Sequence, residues 1–279
     1  FTPVARTTRD RLTGAKPLAG HAEEKVTEGL DGLRGRLEEY NELGARFAKW
    51  RAVITIGEGI PSRACLEVNA HALARYAALC QEAGIVPIVE PEVLMDGNHS
   101  LDTCFEETEE TLSIIFHELF KQGVMLEGMI LKPNMVISAL DCPEQASVKE
   151  VADATVECFL RVVPSAVPGT CFLSGGQSEL AATQHLNAMN AMNDILPWKL
   201  SFSYGRALQA AALNAWGGKS ENISDAQKAF YHRARSEEHT SELQSQAYLV
   251  CRLLPQKKKH NTHTHTQSYS KSLEHHAPV

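Results

Sequence analysis

The feature that most restricts this chain is a fivefold alternation of short apolar runs with longer helical patterns. The strand-like runs fall at 47–56, 85–89, 129–131, 170–173 and 198–204. Apolar residues at helical spacing then predict helices over 61–82, 101–121, 147–162, 179–193 and 207–216. Strand starts lie about 30 to 45 residues apart, the length of a strand and its crossover helix, so a parallel sheet is implied. An open doubly wound sheet and a closed barrel both satisfy that pattern, and periodicity does not choose between them. Ahead of the alternation, 13–20 is expected to be a loop. Leu30, Leu33, Leu37 and Tyr40 predict a helix over 27–44 with Thr27 capping its first turn.

The 279 residues are enough for one large α/β domain, and 43% hydrophobic with 22% charged residues is ordinary for a globular protein. No apolar run approaches the roughly 20 residues that span a bilayer, and the first residues carry no signal-peptide pattern, so a cytoplasmic location without membrane contact is expected. Seven cysteines without a CxxC pair point to reduced thiols rather than a zinc knuckle or a disulfide framework. His71, His99, His117 and His185 lack ligand spacing, so no metal and no cofactor are expected. A net charge of -7 argues against nucleic acid as a partner. An anionic substrate would need a local cluster of cations.

Such a cluster is written at the strand ends. In Gly128-Met129-Ile130-Leu131-Lys132-Pro133-Asn134-Met135-Val136 a lysine interrupts an apolar run. At the mouth of a packed interior, desolvation can free such an amine for attack on a ketone carbon. Side chains two apart on a strand share a face, which pairs Lys49 with Arg51 and Glu90 with Glu92. Ser174, Gly175 and Gly176 lead into a helix and can cradle a phosphate with backbone N–H groups. Arg206 stands where a helix begins, the wrong end for a cation unless an anion binds there. Each piece alone has a plainer reading as a solvated loop, a turn or a sheet edge. Five charged or glycine-rich strand ends in succession make coincidence a poor explanation.

The segments Pro-Leu-Ala-Gly, Phe-Ala-Lys-Trp-Arg, Val-Pro-Ile-Val-Glu-Pro-Glu, Leu-Lys-Pro-Asn-Met-Val, Phe-Leu-Ser-Gly-Gly-Gln-Ser and Phe-Ser-Tyr-Gly-Arg-Ala-Leu-Gln together resemble the class I fructose-bisphosphate aldolases over 13–235. The resemblance implies a (β/α)8 TIM barrel, a lyase of glycolysis, a homotetramer and no metal. It implies reversible cleavage of fructose 1,6-bisphosphate to dihydroxyacetone phosphate and glyceraldehyde 3-phosphate, so phosphorylated ketose and aldose are the partners. Lys132 would form the Schiff base, and Glu90 would act as acid and base with Glu92 and Lys49 beside it. Arg51, Ser203, Gly205, Arg206 and the Ser174, Gly175, Gly176 loop would hold the phosphates.

The chain also departs from that pattern. Residues 1–12 read as an unmatched arm and 236–279 as a disordered, non-native tail rich in His, Ser and Thr. The family's first two barrel strands, the aspartate acting on the hydroxyl that loses its proton and the terminal tyrosine have no match, so the barrel is expected to be incomplete. The alternative to an active lyase is therefore an inactive fragment that keeps at most phosphate binding or self-association.

Overall fold

The computed structural model describes residues 14–192 and 196–238. A hairpin comes first, β1 (Gly14–Pro17) pairing antiparallel with β2 (Lys25–Glu28), and then α1 (Leu33–Glu42). Both expectations here are corrected. Part of the expected loop is a strand, and Thr27 lies in β2, where its hydroxyl donates to the Arg51 carbonyl at 2.5 Å instead of capping a helix. Gly29 (φ 127°) and Gly32 (φ 65°) hold left-handed conformations that no helix interior accepts, so α1 starts only at Leu33.

Five strand–helix units follow. They are β3 (Phe47–Ile54) with α2 (Arg63–Glu82), β4 (Val86–Val93) with α3 (Leu101–Lys121), and β5 (Ile130–Leu131) with α4 (Val148–Val162). Then come β6 (Gly169–Phe172) with α5 (Glu179–Asn190) and β7 (Lys199–Phe202) with α6 (Arg206–Trp216). The strands form one parallel sheet in the order β3-β4-β5-β6-β7. Each strand thus lies beside its neighbour in sequence, as in a barrel, whereas a doubly wound sheet reverses direction at a switch point. Among the described residues β3 and β7 remain edges, so the sheet is open.

A last helix, α7 (Ile223–Glu238), packs on α6. It runs three residues past the boundary expected at 235, and Glu237 is buried against Arg233 and Thr183. The expected arm at 1–12, the end of the helix expected to reach Asn193 and the rest of the expected tail lie outside the described residues.

Strand β4 reaches Val93, beyond the expected stop before Glu90 and Pro91. The backbone N–H of Lys132 donates to the Val89 carbonyl at 2.8 Å, so Val89 and, two residues on, Pro91 turn their polar atoms toward β5. Pairing with β5 ends there, which spares Pro91 the donor it lacks. The next donor on that side, Val93 N–H, is met by the buried side chain of Asn134 at 3.1 Å.

Serines begin four of the five crossover helices: Ser62, Ser100, Ser147 and Ser178 each accept from a backbone N–H in the first turn. Between sheet and helices lies the apolar core, with Trp50 5.4 Å from Tyr76 and Phe159 stacked on Phe172 at 5.5 Å. Ser62 has a second duty: its amide and hydroxyl both donate to the buried Glu24 carboxylate at 2.6 Å, tying the hairpin loop to α2. Burial would raise the Glu24 pKa, but these bonds outweigh it and hold the group below its ordinary value of 4.5.

Ser62→Ala is expected to cost about 2–3 kcal/mol, the loss of a cap plus a bond to a charged group, measurable by urea unfolding. Because the folded-state pKa of Glu24 is depressed, its contribution is present above 4.5 and is lost as pH falls through the folded value. The stability gap between the parent chain and Glu24→Gln should therefore narrow as pH falls below that range.

Candidate active site

The alternation of β3 sends Trp50 and Ala52 into the helix-side core and Lys49 and Arg51 to the opposite face. On β4 the same rule, with Val89 in the core, turns Glu90 and Glu92 to the face that carries the cations. Parallel register sets Arg51 beside Glu90 and Val53 beside Glu92. Long cationic side chains then reach one pair along: Lys49 Nζ lies 2.5 Å from Glu90 Oε2, and Arg51 Nε donates to Glu92. From the end of β5, Lys132 Nζ comes within 3.0 Å of Glu90 Oε1. Glu90 is 3% exposed, Glu92 6% and Lys132 9%, so these charges are held almost out of water. Two amines share one carboxylate, and three basic groups face two acids.

The second group sits at the ends of the next two strands. Leu173 N–H donates to the Pro133 carbonyl at 3.1 Å and Ser203 N–H to the Phe172 carbonyl at 2.8 Å, which brings Ser174 and Ser203 to the same end of the sheet as Lys132. Gly175 (φ 62°) and Gly176 (φ 117°) form the turn. A methyl group on Gly175 would meet Leu173 Cδ1 at 3.2 Å and Met95 Sδ at 3.3 Å. One on Gly176 would lie 3.5 Å from Arg206 Nη2, which places the guanidinium over the turn. Helix α6 differs from the serine-started helices: its first turn follows Gly205, takes no side-chain cap and is closed by Leu208 and Gln209 N–H donating to the Gly205 carbonyl.

All eleven sequence-predicted site residues thus lie at the carboxyl ends of the strands or on the face beneath them. Lys49, Glu90 and Lys132 form one connected cluster, with the Arg51–Glu92 pair beside it on the same strands. Ser174, Gly175, Gly176 and Arg206 form the other group, while Ser203 and Gly205 lead into α6. Arg51 is engaged by Glu92, and that hydrogen bond holds it firmly in the charged form. An anion reaching it would share it with the carboxylate.

Sequence reasoning missed Cys171, on β6, whose thiol burial pushes up to about 11 against the opposing pull of the Lys132 charge. It is a protonated, apolar neighbour of the amine at neutral pH. Asn134 and Met95 were also missed as supports, and only contact with Val93 and the glycine turn reveals them. Among the described residues no group of three or more His, Cys, Asp or Glu side chains could hold a metal.

Strand order and site together define a class, a βα-barrel fold with a lysine-centred site at the strand ends. Residues 11–269 match the family described as fructose-bisphosphate aldolase class I. A "probable fructose-bisphosphate aldolase class 1" of Xanthomonas campestris is 61% identical over 223 residues, covering 80% of this chain and 66% of the relative. Fructose-bisphosphate aldolase B of Gallus gallus is 54% identical over 222 residues, covering 80% of this chain and 61% of its own length. The solved structure of a Plasmodium falciparum fructose-bisphosphate aldolase, in complex with TRAP and a small-molecule inhibitor, superposes with a TM-score of 0.80 at 46% identity, covering 82% of this chain and 67% of that one. The chain belongs to the class I fructose-bisphosphate aldolase family, and it spans about two thirds of the length of the curated relatives it matches.

Gly175→Ala is expected to destabilise the chain by about 1–2 kcal/mol, since the new methyl group adds left-handed strain and a close contact with Met95. Urea unfolding measures it, and the same variant should weaken orthophosphate binding in calorimetry.

Proposed function

We propose that this chain carries the Schiff-base chemistry of a class I fructose-bisphosphate aldolase, in the cytoplasm and within a homotetramer. The substrates are fructose 1,6-bisphosphate in cleavage and dihydroxyacetone phosphate with glyceraldehyde 3-phosphate in condensation. The observation that carries this reading is the 3.0 Å contact between Lys132 Nζ and Glu90 Oε1 on the buried face. Glu90 is placed to take a proton from the attacking amine and to return it to the hydroxyl that leaves the carbinolamine as water. The resulting iminium accepts the electron pair of the carbon-carbon bond that breaks and becomes an enamine, while the hydroxyl on the departing carbon gives its proton to water and becomes the aldehyde carbonyl. Lys49, on the other oxygen of Glu90, keeps that carboxylate oriented. Phosphate groups are held by the Ser174–Gly176 turn, Arg206, Ser203 and Gly205 at the start of α6 and, at the other end, Arg51.

A second reading, an inactive fragment that retains phosphate binding or self-association, is favoured by one observation. Lys49 and Arg51 lie on the edge strand β3, and their side chains are 44% and 47% exposed, so water reaches that side of the cluster.

Borohydride reduction in the presence of dihydroxyacetone phosphate, followed by peptide mass mapping, separates the two. An adduct on Lys132 is expected, with none in Lys132→Met, and Glu90→Gln should slow trapping by about 10²–10⁴-fold. Folded protein that forms no adduct while binding orthophosphate would establish the fragment reading instead.

A further inference from the structure

Two side chains that the proposed chemistry does not use brace the turn after β6. Gln177 N–H donates to the Ser174 carbonyl at 2.9 Å and closes the turn over the two glycines. The Gln177 side chain is then held at both ends. Its Oε1 lies 2.7 Å from Nδ1 of His185, a buried residue of α5, and its Nε2 points at Met135 Sδ at 3.6 Å. Met135 belongs to the segment that leaves Lys132, so one amide links α5, the glycine turn and the lysine loop. Burial keeps the His185 imidazole below its ordinary pKa, so it is neutral at pH 7 and carries one N–H. With Nδ1–H donating to Oε1, the Gln177 Nε2 group faces the sulfur.

A turn built on two positive-φ glycines has wide conformational freedom, and a cradle of backbone N–H groups works only if that freedom is removed beforehand. Met95 limits it from below and Arg206 lies above. The anchor from the flank is Gln177. We propose that Gln177 and His185 are positioning residues that set the shape of the Ser174–Gly176 cradle, and through it the preference for phosphorylated over unphosphorylated ketones. This rests on the reading of Lys132 and the cradle given above.

The test compares the parent chain with Gln177→Met, which keeps length but not the hydrogen bonds, and with His185→Phe. Borohydride trapping on Lys132 is titrated with dihydroxyacetone phosphate and with dihydroxyacetone, and orthophosphate binding is measured by calorimetry. Both variants are expected to need about tenfold more dihydroxyacetone phosphate and orthophosphate, with the requirement for dihydroxyacetone changed by less than about twofold. Equal losses for both ketones, or parent-like phosphate affinity in folded variants, overturn the inference. Should His185→Phe not fold, Gln177→Met, at a half-buried loop position, decides. A parent chain that neither traps ketone nor binds orthophosphate overturns the reading of the site itself, and the inference with it.

Discussion

The carboxylate of Glu90 is the point on which the interior face of the sheet depends. It is almost fully buried and is met by an amine on each oxygen, Lys49 from the strand before and Lys132 from the strand after. Burying Glu90 or Lys132 alone would be costly, and with the half-exposed Lys49 they satisfy one another. The arrangement also locks the pairing of β3 with β4. Sliding β4 by one residue would carry a glutamate into the layer where Trp50 packs on Tyr76, and sliding β3 would carry Lys49 and Arg51 there and turn Trp50 toward the glutamates. Electrostatics and core packing therefore specify the same register. The cluster that can do chemistry is also the one that aligns the strands.

The loop after Lys132 shows how much of this region is support. Asn134 replaces a strand where β5 has ended, giving Val93 N–H an acceptor and donating its own amide to Thr108 on α3. Pro91 occupies a position where no donor is required, and Pro133 still serves the sheet through its carbonyl, which accepts from Leu173 N–H, so two residues hostile to sheets are tolerated beside the lysine. Backbone bonds such as Leu173 N–H to the Pro133 carbonyl carry the pairing to the strand ends, and the Asn134 side chain takes over where they stop.

Much of this was legible in the chain itself, for identifiable reasons. The five strand–helix units follow from apolar period and glycine stops, and the bounds of α3 agree to the residue because Asp102 and Lys121 complement its dipole. Strand order was not legible, since period carries no information about neighbours. The stretch around Thr27 misled because Leu30, Leu33 and Leu37 do have helical spacing, while two glycines with positive φ delay the helix. At the site, strand parity put Lys49 with Arg51 and Glu90 with Glu92, and the structure brings Lys49, Glu90 and Lys132 within contact. Gln177 and His185 gave no signal, because a glutamine eight residues before a histidine means nothing until a turn and a helix fold them onto each other.

Helix α6 begins without the serine that α2, α3, α4 and α5 possess. Its opening turn is closed by backbone alone, Leu208 and Gln209 N–H both donating to the Gly205 carbonyl, and carries an arginine whose charge opposes the helix dipole. The Leu208 N–H that a serine hydroxyl would have met donates instead to the Gly205 carbonyl, so only the misplaced cation is left without an answer in the helix itself. That leftover charge is the one feature of α6 that its own fold does not explain, and it is why Arg206 reads as an anion holder rather than as part of the cap.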